Sequence, residues 1–574
     1  MKFVFIVFQI FTFINLYSQS VNHVWHIHNP LPIDLVLSGN FGELRSGSFH
    51  TGIDFKTQQK ENIQVLAVDD GWVSRIVVSK TGYGKAIYIT HKNGYTTVYA
   101  HLRDFYLDVS EFVKNKQYEL MSYEVDLSIP ENKFIVKKGQ LIGFSGNTGN
   151  SFGPHLHFEI RNNKEEPLNP LIFFKNIKDL YYPFVTNIWF YEFTDYTCNK
   201  EKNSFCVKPV LRNNKYVLMD TVYVYGKVGF GIEAFDNVNS LNRCGIYMIE
   251  MFLNNKKEYS VKFDKLSFFE QKYYKGFIDY KRLIKEKVKI YKLFANQNNK
   301  LSIYNHLLDN KGIFNFTNDG EVNKIKIVLK DFSRQQAIVE FFVKTKKIES
   351  VNKEIENSFE NFDYYDSICF SKNFSISFEE CNVFIPAYSL FDNACFTYKK
   401  YTDNIYLSNI HEIGNTYEPL IEKITIEIMP IVECSLSDKV LMAELDNNNQ
   451  VKRTFKAIKT KNNFFKAEVS NFGRYVLLID TIVPVCIPEK FSSNIFYNDN
   501  DTISFIIKDN LSDISKYNAY IDDNWALLEY DLKNNKVFYV MDKHRIQKNR
   551  THKLIINLED NVYNRSTFEY LFKY

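Results

Sequence analysis

The sequence predicts a mainly β chain: an N-terminal antiparallel-sheet domain followed by about three β-sandwich modules of immunoglobulin-like type. Three observations lead there. Aromatic residues make up 16% of the chain, and aromatic and β-branched types suit a pleated, half-buried surface. Runs such as Trp72–Val78, Ala86–Thr90, Tyr95–Leu102, Lys324–Leu329 and Ala337–Val343 alternate or stay apolar over strand lengths. Turns rich in Asn, Asp and Gly separate them. At 574 residues the chain exceeds what one core serves, so several domains are expected.

The N-terminus reads as an export signal over 1–18. Lys2 precedes the apolar stretches Phe3–Phe8 and Ile10–Ile14, and Ser18 is a small residue at a plausible cut. An uncleaved anchor is the alternative, although Gln9, Thr12 and Asn15 interrupt the run. A second run long enough to span a bilayer is absent, so no integral membrane span is expected after signal removal. The mature chain is then exported, to the periplasm or cell envelope. Lys+Arg 71 against Asp+Glu 67 gives a formal charge of +4, a balance that argues against a nucleic-acid partner, which would normally need a concentrated basic face.

The N-terminal domain is expected over 19–178 and further β modules over 179–348, 349–480 and 481–574. The charged run from Lys344 to Asn357 marks one boundary, and the segment from Thr481 to Pro488 reads as a linker. All eight cysteines fall after residue 190 without a Cys-x-x-Cys pair, so a cysteine zinc site is unsupported. Export permits disulfides, and Cys198 with Cys206 is the expected pair, with buried free thiols as the alternative.

Chemistry concentrates in three segments of the first domain. His50 and Asp54 are separated by three residues, Gly52 among them, and can bend around one point. Imidazole and carboxylate are both good zinc ligands. His101 ends the second arm of a hairpin that turns at Lys92-Asn93-Gly94. Beyond the loop Ser145 to Pro154, a strand from His155 would place His155, His157 and Glu159 on one face and Leu156, Phe158 and Ile160 on the other. Glu159 reads first as a solvated strand carboxylate, with orientation of an imidazole as the alternative.

Together His50-x-x-x-Asp54, Tyr99-Ala-His101-Leu and Gly153-Pro-His155-Leu-His157-Phe resemble the M23 (LytM/lysostaphin-like) zinc metallopeptidases. Gly82-Tyr-Gly-Lys85, Ser145-Gly-Asn-Thr-Gly149 and Pro167-Leu-Asn-Pro170 support the resemblance, which covers roughly residues 35 to 172. It implies a LytM-type sheet domain binding one Zn2+ per chain. His50, Asp54 and His157 would be the ligands, and His101 and His155 the catalytic histidines. Some relatives carry an active-site Tyr shortly before the first ligand; no Tyr stands between Tyr17 and His50 here. The resemblance further implies hydrolysis of peptide cross-links in peptidoglycan, a D,D-endopeptidase-type cut at its stem peptides. A non-catalytic wall-binding protein, or an activator of another wall hydrolase, is the alternative. The chemistry agrees: three protein ligands leave zinc an open position, where water becomes acidic enough to attack an amide. His155 could take the proton of that water, and His101 could donate to the oxyanion.

The segments Asp236-Asn-Val-Asn-Ser and Glu559-Asp-Asn-Val-Tyr-Asn are similar to loops in Bacteroidetes-type relatives that carry sandwiches behind the peptidase. Such modules could engage envelope protein partners. Other patterns carry less. His26-Ile-His28 lacks a carboxylate at ligand spacing and reads as a surface segment. Gly229-Phe-Gly231 leads into a turn rather than a helix, so it is no dinucleotide fingerprint.

Overall fold

A computed structural model describes residues 25–174, 177, 179–194, 201–239, 242–347 and 362–574. The expected signal segment lies outside them. Strands hold 49% of the residues and helices 7%, as the composition requires. Among the described residues no helix is long and apolar enough to cross a membrane.

Six strands of an 11-stranded sheet frame the histidines: β1 (Leu37–Gly39), β2 (Ile53–Lys56), β3 (Gly71–Val78), β4 (Lys85–His91), β5 (Thr96–Phe105) and β6 (His155–Arg161). Their order across the sheet is β1-β2-β6-β5-β4-β3, with every pair antiparallel. The expected hairpin joins β4 to β5, and Gly94 takes the positive φ of +83° that its tight turn demands. Helix α1 (Leu107–Leu120) fills part of the excursion that follows, burying Val109, Val113 and Gln117 on one stripe.

Strand β6 is central, and its alternation is clean. Leu156, Phe158 and Ile160 are fully buried in the main core, each contributing roughly 1.5–3 kcal/mol of apolar burial. Their neighbours His155, His157 and Glu159 face the other way. Register completes the site, because His157 stands opposite Asp54 on β2 and opposite Ala100 on β5.

That core does not stop at the first domain. One buried cluster runs from Leu31 to Val343 and also takes in Phe391, Ile421 and Leu527; it includes residues of strands β7 (Phe184–Phe193), β8 (Gly226–Asn239), β9 (Val322–Lys330) and β10 (Gln336–Thr345). Gly42 backs against the Phe263 ring, where a Cβ would lie 2.4 Å from a ring carbon. The glycine thus permits the close approach of the two parts. The sheet of β9 and β10 is mixed rather than purely antiparallel, since Lys215–Val217 and Val222–Val224 pair parallel to β10.

Two further buried clusters follow, from Ile368 to Leu477 and from Cys486 to Tyr574. Each is shared by two antiparallel sheets. The first of these segments ends with β11 (Gly473–Ile479); the second contains β12 (Thr502–Lys508), β13 (Thr551–Asp560) and β14 (Arg565–Lys573). The last segment folds back on the first domain. Lys85 pairs with Glu529 at 2.9 Å, and the Tyr118 and Trp525 rings meet edge-on at 5.2 Å.

The expected Cys198–Cys206 disulfide is corrected. Cys206 is a free thiol, while Cys395 is disulfide-bonded; Cys198 lies outside the described residues. Proximity in sequence favoured a small loop closure, but Cys206 sits in the strand Glu201–Val207, held opposite Trp189 of β7.

Candidate metal centre

Three ligand-type atoms converge on one point. Nε2 of His50, Oδ1 of Asp54 and Nδ1 of His157 stand 3.1, 3.0 and 3.0 Å apart pairwise. Donors around a tetrahedral Zn2+ at its usual bond lengths stand about 3.3 Å apart, so the triangle is near the size that zinc needs. All three side chains are buried.

The surroundings decide which atoms face this point. Nδ1 of His50 lies 2.8 Å from the Asn40 carbonyl. A carbonyl only accepts, so the ring proton is there and Nε2 keeps its lone pair. Nε2 of His157 lies 3.0 Å from Oε1 of Glu159, which fixes the opposite tautomer and turns the Nδ1 lone pair inward. Asp54 gives Oδ2 to the Arg45 guanidinium at 2.6 Å and leaves Oδ1 to the centre. Three lone pairs thus meet, each held from behind by a hydrogen bond, the arrangement usual for metal-ligating imidazoles and carboxylates.

Electrostatics agree. Burial alone would raise the Asp54 carboxyl, but His50, His155 and His157 hold it well below the usual carboxylate range. Burial disfavours an imidazolium at His157, yet the Asp54 and Glu159 carboxylates outweigh it and bring the ring up to about 9. The site calls for positive charge between two carboxylates, and a cation satisfies that demand as a proton does.

Glu159 corrects the solvated-carboxylate reading. It is fully buried, and Thr51, Tyr83 and Arg161 donate to it at 2.6, 2.5 and 2.7 Å. Burial would raise its pKa, but Arg161 and His157 depress it strongly. These partners, with Arg45 and Asn40, were not among the residues expected at the site. Two signals existed: Tyr83 belongs to the Gly82-Tyr-Gly-Lys85 segment, and Arg161 continues the His155, His157, Glu159 alternation.

His101 and His155 flank the triangle. Regular alternation would send His101 into the core beside Tyr99. Instead the residue adopts a φ of +57°, and its ring lies 4.8 Å from that of His155 and 5.7 Å from that of His157. A left-handed non-glycine residue costs roughly 1–2 kcal/mol, and such strain collects at functional sites. Its Nδ1 faces the Thr148 carbonyl at 2.8 Å, and burial, helped by the two neighbouring imidazoles, lowers it to about 3. His155 Nδ1 faces the Gly153 carbonyl at 2.8 Å, and its Nε2 lies 3.5 Å from Asp54 Oδ1. His101 therefore carries its proton on Nδ1 and presents a bare Nε2, whereas His155 turns its Nε2 to the Asp54 carboxylate. In that state His101 accepts a proton and cannot donate one.

The remaining histidines lie elsewhere. His26 and His28 are exposed. His91 is buried against the Asp70 carbonyl and Thr97, and His411 against Tyr398. Gly229 and Gly231 lie within strand β8, with no helix opening behind them.

Two family models match the chain: peptidase family M23 over residues 48–118 and 124–170, and a Zu5-like domain over 367–480. The DD-carboxypeptidase/endopeptidase Mpg of Neisseria meningitidis is 37% identical over 128 residues, covering 22% of this chain and 23% of that protein. The peptidoglycan DD-endopeptidase ShyB of Vibrio cholerae is 36% identical over 154 residues, 25% of this chain and 30% of its own length. Among solved structures, the catalytic domain of lysostaphin from Staphylococcus simulans matches at 25% identity and a TM-score of 0.19, over 24% of this chain and 91% of that one. The chain spans about a quarter of the length of the first relatives it matches.

Proposed function

We infer, from an N-terminal domain that belongs to peptidase family M23, that this chain is a zinc-dependent endopeptidase acting on peptidoglycan. His50, Asp54 and His157 would hold one Zn2+. The observation that carries this reading is the meeting of three lone pairs at mutual distances of 3.0–3.1 Å. Zinc, when bound, supplies Lewis acidity and lowers the pKa of water near it towards neutrality.

The chain's own groups then manage position and protons. Glu159 and the Asn40 carbonyl fix the ligand tautomers, and Arg45 holds Asp54. His101, with a bare Nε2 beside the triangle, and His155, whose Nε2 stands beside Asp54 Oδ1, would act as proton acceptors. The hydrogen bonds from Nδ1 to the Gly153 and Thr148 carbonyls support the imidazolium that results. A histidine protonated in this way becomes a donor, so oxyanion stabilisation by His101 follows proton uptake and does not precede it.

The substrate would be a peptide cross-link between stem peptides, cut in the manner of a D,D-endopeptidase. The printed activities of Mpg and ShyB support that class, and the expected export to the periplasm or envelope is consistent with it. The later β modules, sandwich-like in having two sheets about one core, would engage the wall or envelope proteins. Metal analysis of the purified chain tests the reading: one equivalent of zinc is expected, and its loss in Asp54→Ala. Stoichiometric zinc retained by Asp54→Ala would remove these residues from the ligand set.

A further inference from the structure

Two aspartate triplets lie outside the histidine site, and they occupy equivalent places in two modules. Asp179 precedes β7 at Phe184, and Asp480 precedes the strand Val485–Lys490 at the same spacing. Each of these first strands pairs antiparallel with a longer one. Phe184 stands opposite Phe235 and Val485 opposite Lys508; the residues that follow those partners are Asp236 and Asp509. The third members sit at the turn of the last hairpin: Asp331 directly after β9 and Asp560 at the end of β13.

Within each triplet the residues bring one carboxylate oxygen apiece to within 4.8 Å of one another. Asp236, Asp331 and Asp480 are 2%, 1% and 1% exposed, yet Asp236 Oδ1, Asp331 Oδ2 and Asp480 Oδ2 have no hydrogen-bond partner, nor has Asp509 Oδ1. The opposite oxygens of three of them are engaged by the backbone. Asp331 Oδ1 accepts from the Gln335 amide, Asp480 Oδ1 from that of Ile482, and Asp509 Oδ2 from those of Leu511 and Ser512. Each of these three thus keeps one oxygen without a donor, while Asp560 accepts at Oδ1 from the Val562 and Asn564 amides and at Oδ2 from Asn564 Nδ2. Among the described residues no lysine or arginine forms an ion pair with any of the six.

Buried carboxylates this close repel one another and forfeit solvation. Burial, with Asp179 and Asp331 beside it, pushes Asp236 up to about 8, and burial with Asp179 pushes Asp331 to about 7. Oxygens on one Ca2+ stand no more than about 5 Å apart, and an all-oxygen donor set selects hard cations over zinc.

We propose that each triplet binds a hard divalent cation, Ca2+ or Mg2+, and that the two ions fasten successive modules together. Asp179 and Asp236 of the first triplet border a cavity of about 90 Å³ that Leu37 and Asn40 of the histidine domain also line. The second joins Asp480, beyond β11, to two loops of the last module, and Asn564 bonds the Asp480 carbonyl there at 3.0 Å. The same device recurs at both junctions.

The test titrates the full chain, with its zinc retained, against CaCl2 and separately MgCl2 by calorimetry, and follows thermal melting. Two equivalents of one cation are expected. Asp236→Asn and Asp509→Asn should each bind one, and His157→Ala should still bind two. Melting distinguishes lost binding from lost folding. In cation-free buffer Asp236→Asn puts a neutral amide where burial already opposes a carboxylate, and it should melt no lower than the parent, whereas in cation the parent should melt higher. The heats of Ca2+ against Mg2+ identify the ion. Absence of binding by either cation up to about 10 mM, the weak end of calcium modules, would overturn the proposal. So would two equivalents retained by both Asn variants.

Discussion

Nε2 of His157 donates to Oε1 of Glu159 across 3.0 Å, and this bond selects the nitrogen that His157 turns towards His50 and Asp54. The carboxylate has no solvent contact and takes three further donors. Its replacement should act through the metal site. Glu159→Gln should weaken zinc binding about 10- to 100-fold, the usual cost of losing such a partner. Competition with a chromophoric chelator measures this; an unchanged affinity would detach Glu159 from the site.

His101→Ala and His155→Ala should each keep one equivalent of zinc and lose at least about a hundredfold in kcat/KM. Neither ring's Nε2 belongs to the triangle of donor atoms. Metal analysis beside a rate assay separates the roles, and loss of zinc from both variants would show them wrongly divided.

Gly52→Ala should impair metal binding although no ligand changes. A Cβ there would lie 2.5 Å from the Phe158 carbonyl oxygen and 2.9 Å from both Glu159 Cγ and His157 Cε1. The β2–β6 pair would have to part, which would separate Asp54 from His157. Zinc retention after dialysis reads the effect, and parent-like retention would show that the strands yield without cost.

The Zu5-like segment should lose stability in acid because of His411. Burial lowers this imidazole to about 4, against a small opposing effect of Glu380. The unfolded chain takes up the proton near 6.5 and the folded chain near 4. The contribution is therefore complete above 6.5 and lost as pH falls towards 4, amounting to up to about 3 kcal/mol. Compared with a non-titrating His411→Gln variant, the parent should lose its relative advantage in melting temperature across that window. A difference independent of pH would contradict the assignment.

The local pattern at His155–Ile160 made much of the site legible. Alternation placed three apolar residues inward and the histidines opposite them, and β6 follows it residue by residue. Pattern could not say whether the opposite face is covered. Thr51 and Tyr83 close over Glu159 from other segments, beside Arg161 of its own strand, which is why a buried carboxylate read as a solvated one. His101 breaks alternation by a single left-handed residue, and only the order of motifs, not periodicity, pointed to it. Arg45 and Asn40 act through a guanidinium on the short strand Leu44–Arg45 and a backbone carbonyl just after β1, and neither leaves a spacing signal. The continuous core from Leu31 to Val343 was hidden for a similar reason, since contacts such as Gly42 on Phe263 join segments far apart in sequence.

Digestion of purified cross-linked muropeptide dimers by the full chain, with and without chelator and beside a pentaglycine peptide, tests the central claim most directly. Conversion of dimers to monomers is expected, abolished by chelator and restored by zinc. Cleavage of pentaglycine alone, or of neither substrate by the zinc-loaded protein, would contradict it.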